Sequence, residues 1–430
     1  MHLPMHLPMQ TPAPDPAVAK KPGLMPLDAA LAELLSRVAP LPADQAQWLP
    51  TELVLGRVLA QDLTSLVHVP PFDNSAMDGY GLRAADVPQA GTVLPVSQRI
   101  AAGQVGEPLQ PGTAVRIFTG AQVPAGVDTV VMQEDCEAVA DAAHPLGAVK
   151  VMKVPQAGQS IRLQGEDVQA GAVVLAAGTR ITPAAMGLAA SVGADKLRVM
   201  RAPRVAIFST GDELLMPGEP PRPGAIYNSN RSTLHGLLRA SGCEITDLGI
   251  VADTLEATRA CLRKAAVDHD LIVTTGGVSV GEEDHVRPAV LAEGELALWQ
   301  LAIKPGKPFA LGSVRRPQGG SALFTGVPGN PVACFVTFLV LITPLLRRLQ
   351  GATDVLAPRW RIRADFAWRK ADKRREFLRA RLNATGGLDL YPNQGSAVLT
   401  SAVWADGLVD LPAGFTVEPG DLVDFLPFGH

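Results

Sequence analysis

Between residues 203 and 350, short apolar runs alternate with stretches of helical periodicity. The runs fall at 204–208, 244–251, 271–275 and 322–324, and the helical stretches near 229–240, 254–267, 285–292 and 331–348. Strands alternating with helices predict a doubly wound, mainly parallel sheet. Upstream, Leu27, Leu31, Leu34, Leu35 and Val38 recur at helical spacing with Asp28 near the start, which predicts an amphipathic helix over 26–38. Residues 50–66 read as a strand or short helix. Over 68–160 the texture changes to short β-rich runs (114–118, 129–133) between Gly/Pro turns, as in a small β or α+β module. Residues 161–201 read as an extended piece ending in a helix over 183–192, and β-type patterning returns after Gln350.

The expected fold is therefore multidomain α/β. Residues 24–67 and 161–201 form an elongated domain, 68–160 a β-rich module, 202–351 the α/β domain and 352–430 a C-terminal β domain. A length of 430 residues demands more than one core. Residues 1–23 repeat Met-His-Leu-Pro and are proline-rich; they read as a disordered tail, with translation expected to begin further in.

Composition narrows the function. With 47% apolar and 19% charged residues the chain is globular, and a net charge of −4 argues against a broad nucleic-acid or membrane surface. Cys136, Cys243, Cys261 and Cys334 form no C-x-x-C pair, which suits a reduced, cytoplasmic setting. No apolar run reaches the roughly 20 residues that span a bilayer, and 333–346 reads as a buried helix. The basic stretch 359–381 reads as a solvated face.

Ligands of doubly wound sheets bind beyond the carboxyl ends of the strands. Thr210, Gly211, Asp212 and Glu213 follow the first run, and Ala252 and Asp253 the second. The third run stops at Gly276 and Gly277, then passes Ser279 to the acidic cluster Glu282, Glu283 and Asp284. Lys304 and Lys307 flank a Pro-Gly turn, and Pro328, Gly329, Asn330 and Pro331 precede the last helix. Singly, these have plain structural roles: Asp253, in Asp253-Thr254, as a helix N-cap, Asp212 and Glu213 capping a turn, the lysines solvated. Together they gather carboxylates, ammonium groups and glycine turns on one edge. Lysines and backbone N–H groups suit a tetrahedral oxyanion, and carboxylates suit a hard cation such as Mg²⁺. Neither G-x-x-x-x-G-K-[ST] nor a post-strand G-x-G-x-x-G occurs, which weakens NTPase and dehydrogenase readings. A second constellation, 70–80 (Pro-Pro-Phe-Asp-Asn-Ser-Ala-Met-Asp-Gly-Tyr), is a long polar loop without periodicity, as functional loops are. The segments 116–120 and 162–167 are weaker cases of the same kind.

With these segments assembled, the chain resembles the molybdopterin molybdenumtransferase family, which includes the E domain of gephyrin. The resemblance rests on Phe72 to Tyr80, Arg116 to Gly120, Gly165 to Asp167, Phe208 to Leu214, Tyr227 to Asn230, Thr275 to Gly281 with Asp284, Ile303 to Pro308, and Leu323 to Pro331, in family order. It implies an elongated homodimer of four-domain subunits that inserts molybdate into adenylyl-molybdopterin and releases AMP, with dependence on Mg²⁺. It further implies that Asp78 and Thr119 complete a cleft shared between subunits, and that Glu213, Asp253 and Asp284 are the acidic site residues, Asp284 facing the metal. Lys304, Pro328 and Pro331 match the phosphate and pterin side; Thr210, Gly211, Ser229, Gly276, Gly277, Ser279, Lys307, Gly329 and Asn330 join them as substrate-binding. Asp167, Arg379 and Ser396 match outlying functional positions. Transient contact with the molybdopterin adenylyltransferase and with recipient molybdoenzymes is expected. Where many members carry a lysine before the Lys-Pro-Gly segment this chain has Gln300, which removes one positive charge. The alternatives are molybdopterin adenylylation, against which residues 70–80 and the extra domains argue, and a non-catalytic scaffold of the same fold.

Overall fold

The computed structural model describes residues 23–276 and 285–429. The expected N-terminal tail, together with Gly277, Ser279 and the 282–284 cluster including Asp284, lies outside them. The described chain forms two compact units. One comprises Pro40–Ala202 with Arg347–Val355; the rest belongs to the other.

The second unit holds the α/β domain. Its six-stranded sheet runs, in spatial order, Glu244–Val251, Arg204–Thr210, Leu271–Thr275, Ser321–Val327, Pro308–Arg315 and Gly294–Gln300. The first four are parallel and the last two antiparallel additions, so the sheet is mixed at one edge. From the Arg204–Thr210 strand the chain crosses first to one side, then back to the other. The switch point therefore lies between Arg204–Thr210 and Leu271–Thr275, where such sheets bind ligands. The helix Ser229–Ala240 buries Asn230, Leu234 and Leu238 at four-residue intervals and is capped by Asn228, whose side chain accepts from Arg231 N. The helices Leu255–Asp268 and Val286–Glu293 pack Leu262, Ala265, Ala266, Ala289 and Val290 with Phe208, Ile272 and Phe324 in one core. Burial of each such Phe stabilises by about 2 kcal/mol.

The last helical segment lies where it was expected, near 331–348. It runs Pro331–Leu349 with a π turn at Phe338–Ile342, and by length and composition alone it could cross a membrane. It is nonetheless 72% buried in the protein, as a core helix is.

The C-terminal sheet is ordered Ile303–Lys304, Arg375–Leu382, Gly407–Leu411, Leu422–Pro427 and Trp360–Arg363, with Leu388–Leu390 pairing to Arg375–Leu382. A two-residue strand from the α/β domain thus starts the C-terminal sheet. The helix Leu27–Arg37 joins this same unit, contrary to its expected place beside 40–67. Met25 N donates to Gln300 O, Ala302 N donates to Met25 O, and Arg375 reaches Asp28.

In the other unit, Ala46–Pro50 pairs antiparallel with Lys196–Met200, and Leu63–Thr64 with Val173–Leu175. The 50–66 stretch is mostly irregular, with the 3₁₀ turn Thr51–Leu53, isolated bridges at Val58 and Leu59, and the short strand Leu63–Thr64. The β-rich module is a six-stranded sheet ordered Thr129–Met132, Gly79–Leu82, Ala114–Ile117, Thr92–Ile100, Ala148–Val151 and Cys136–Val139.

Candidate active site

Strand register builds a common edge. Thr210 is level with Val251, Ser209 with Thr275, and Thr275 with Val327. The antiparallel strands enter and leave at the same edge, since Ala310 faces Gly326 and Gln300 faces Pro308. The loops carrying Gly211 and Glu213, Asp253, Gly276, Lys304 and Lys307, and Pro328 to Pro331 therefore all open there. Across the switch point, Ser209 Oγ and Thr275 Oγ1 lie 3.2 Å apart in a buried contact. Gly211 has φ +137°, and a Cβ there would meet the Glu213 carboxylate at 2.5 Å. Gly276 has φ +82° with a Cβ position 3.3 Å from Thr210 O, so two strand-end turns require glycine.

Asp253 does not cap the next helix. Thr254 does, its side chain accepting from Ala257 N, which leaves the half-buried Asp253 carboxylate outside the capping geometry. Glu213 is exposed, and its carbonyl accepts from Ile226 N. Ser229 opens its helix beside Asn230, whose Nδ2 donates to Gly329 O at 2.7 Å, joining two site loops. Asn228 Nδ2 and Asn230 Oδ1 are buried without protein partners among the described residues. Asn330 holds the N-cap position of the last helix and Pro331 its first turn, while Val332 N donates to Ser396 O at 2.9 Å. Ser396 thereby meets the Pro328–Pro331 segment.

The lysines diverge. Lys307 is exposed, with its carbonyl on Leu301 N. Lys304 Nζ lies 2.8 Å from Glu376 Oε1 and 3.4 Å from Asp372 Oδ2. The Glu376 hydrogen bond holds the Lys304 ammonium above its ordinary pKa. Asp372 is in turn gripped by Arg374, which holds its carboxyl well below the usual carboxylate range.

Arg379 is fully buried. Its Nε donates to Ser401 Oγ, Nη1 to Phe377 O and Nη2 to Gly395 O, and burial pushes the guanidinium down to about 10. Its place is under the loop that carries Ser396, with no surface of its own. The basic stretch is accordingly not one solvated face: Arg361 and Arg369 are exposed, but Arg375 pairs with the buried Asp410. Periodicity within the strand Arg375–Leu382 could have revealed this, since Arg375, Phe377 and Arg379 alternate along it. Sequence alone does not mark Glu376, Asp372 and Trp368, because only their partners make them functional candidates.

Asp78, Thr119 and Asp167 belong to the other unit. Asp78 Oδ1 accepts from Thr119 N at 2.8 Å and from Thr119 Oγ1 at 2.7 Å. The backbone bond first, then the hydroxyl, holds the Asp78 carboxyl below its ordinary value. Gly79 next to it is obligatory, as a Cβ would meet Val131 O at 2.0 Å. Arg116 donates to Gly79 O and Gln133 Oε1 and stacks between the Tyr80 and Phe118 rings. The polar loop is pinned at Asp73, whose Oδ1 accepts from Gln164 N; Asp167 is exposed, its N–H on Val69 O.

Among the described residues no three His, Cys, Asp or Glu side chains cluster as a metal site. Glu213 and Asp253 come directly after neighbouring parallel strands, and capping consumes neither carboxylate, so their hard oxygen donors fit a hard cation.

Three family models cover this chain in order. Residues 25–193 match the MoeA N-terminal region (domain I and II), 206–348 a probable molybdopterin binding domain, and 361–428 the MoeA C-terminal region (domain IV). A molybdopterin molybdenumtransferase of Haemophilus influenzae is 36% identical over 413 residues, covering 95% of this chain and 99% of that protein. Molybdopterin molybdenumtransferase 2 of Mycobacterium tuberculosis is 37% identical over 396 residues, covering 89% and 93%. Among solved structures, the molybdopterin biosynthesis moeA protein of Pyrococcus horikoshii OT3 aligns with a TM-score of 0.77 at 26% identity, over 94% of this chain and 100% of that one. The ordered strand-end loops and the full-length similarity agree: this chain belongs to the molybdopterin molybdenumtransferase family.

Proposed function

We propose that the protein inserts molybdate into adenylyl-molybdopterin with release of AMP, as a Mg²⁺-dependent transferase of molybdenum cofactor biosynthesis. The observation that carries this reading is the continuity of the similarity: relatives named for this activity align over as much as 95% of the chain, through all three family regions.

The site chemistry supports it. The substrates are anionic at the pyrophosphate and at molybdate, and must be brought together against their repulsion. Lys304 and Lys307 supply positive charge; Thr210, Gly211, Ser229, Gly276, Gly329 and Asn330 offer backbone and small polar groups along the strand-end edge; Pro328 and Pro331 bracket the loop before the last helix. Gly277 and Ser279 would join the same substrate-binding set. Glu213, Asp253 and Asp284 would hold Mg²⁺, which would supply charge neutralisation for the pyrophosphate as AMP leaves. Asp78, oriented and kept ionised by Thr119, completes the cleft in a homodimer whose site is shared between subunits. Asp167, Arg379 and Ser396 act further out, Arg379 by supporting the Ser396 loop.

The protein is cytoplasmic in this reading, which its scattered, unbridged cysteines support. It exchanges product transiently with the adenylyltransferase and recipient molybdoenzymes and needs neither nucleic acid nor membrane. An adenylyltransferase would accumulate adenylyl-molybdopterin from ATP and molybdopterin without molybdate. We expect no such accumulation by chromatography, and its appearance would overturn the assignment.

A further inference from the structure

Lys304 sits in the 301–307 turn, at the ligand edge of the sheet. Its backbone pairs in parallel with the C-terminal sheet, Lys304 level with Glu376. Glu376 is 1% exposed, an uncommon position for a carboxylate. One of its oxygens takes Lys304 Nζ at 2.8 Å and the other accepts from Trp368 Nε1 at 2.9 Å. Asp372 takes a second, longer contact at 3.4 Å. An ammonium has three N–H donors. Two are engaged here, while 39% of the lysine side chain remains exposed.

We infer that Glu376, anchored by Trp368, is a positioning residue that fixes the Lys304 ammonium so that its remaining N–H faces the anionic portion of the substrate. The inference rests on the proposed reaction and deepens it. A lysine free to sample rotamers must be ordered at each binding event, whereas one held by a buried carboxylate is ordered on folding. The C-terminal domain, through Glu376 and Trp368, thus contributes to the site without touching substrate. Two other roles make different predictions. If Glu376 only damped the charge of Lys304, removing the carboxylate would strengthen the local positive potential and tighten anion binding. If it were only structural, its loss would lower the active fraction, reducing kcat with KM unchanged.

The test compares wild type, Glu376→Gln and Trp368→Phe in AMP release at varied adenylyl-molybdopterin, with thermal melts. Lys304 and Trp368 use different oxygens of Glu376, and Gln puts an NH2 in place of one of them, so one of the two donors loses its acceptor. We expect KM to rise about tenfold in Glu376→Gln and about threefold in Trp368→Phe, with kcat within about twofold of wild type. An unchanged or lowered KM in a folded variant overturns the inference, and Trp368→Phe carries the comparison if Glu376→Gln fails to fold. Calorimetric Kd values for adenylyl-molybdopterin, measured in parallel without molybdate, keep the two proposals separate. A wild type that binds but releases no AMP overturns the reaction, while the ratio of Kd values still decides the role of Glu376.

Discussion

Asp78 and Thr119, 41 residues apart in sequence, meet through a doubled bond in which one carboxylate oxygen accepts from both the backbone N–H and the hydroxyl of Thr119. The arrangement leaves the second oxygen for other work and lowers the pKa of Asp78 through the donors of Thr119. A carboxylate lowered in the fold contributes its stability above its ordinary value of 3.8, and loses it only as pH falls through the lowered value. We therefore expect no Asp78 limb in the pH dependence of kcat/KM between about pH 5 and 9. Asp78→Asn should cost at least about 100-fold in kcat/KM, and Thr119→Val about tenfold, since it keeps the backbone bond. An acid limb above pH 5 that moves upward in Thr119→Val would contradict this.

Thr254 caps its helix and the adjacent Asp253 carboxylate does not, so their proposed roles can be tested apart. Thr254→Ala should lower unfolding free energy by about 1 kcal/mol and leave kcat near wild type. Asp253→Ala should change stability by less than about 0.5 kcal/mol and strongly reduce AMP release. Urea denaturation alongside the activity assay distinguishes them. The reverse pattern would return Asp253 to a structural role.

Arg379 gives the opposite case, a family-matched position whose donors are all turned inward. Arg379→Met leaves the Ser401 hydroxyl and the Phe377 and Gly395 carbonyls without their donor, and should destabilise the protein by about 3 kcal/mol in chemical denaturation. Lost activity with undiminished stability would mean that Arg379 reaches substrate after all.

The α/β domain was legible in the sequence because its strands are continuous apolar runs and its helices carry periodic burial, as at Asn230, Leu234 and Leu238. The site edge was legible for the same reason: placing the strands also places the loop residues at their carboxyl ends. The features that escaped depend on long-range pairing. The two-residue strand Ile303–Lys304 has no local signature, and only its partner Arg375–Glu376 defines it. The grouping of Leu27–Arg37 with the α/β unit rests on Met25 and Asp28 meeting residues about 275 to 347 positions away. Local pattern placed the N-cap at Asp253-Thr254 with capping as the plain role of the Asp, whereas side-chain geometry gives the cap to Thr254. Asp284, which the family resemblance ties to Mg²⁺, lies outside the described residues.

The most direct measurement is incubation of the purified protein with adenylyl-molybdopterin, molybdate and Mg²⁺, following AMP by chromatography. We expect stoichiometric AMP that appears only when molybdate is present, disappears with a chelator and returns with added Mg²⁺. AMP release indifferent to both molybdate and Mg²⁺, or no release from folded protein, would contradict the assignment of this edge as a molybdenum-insertion site.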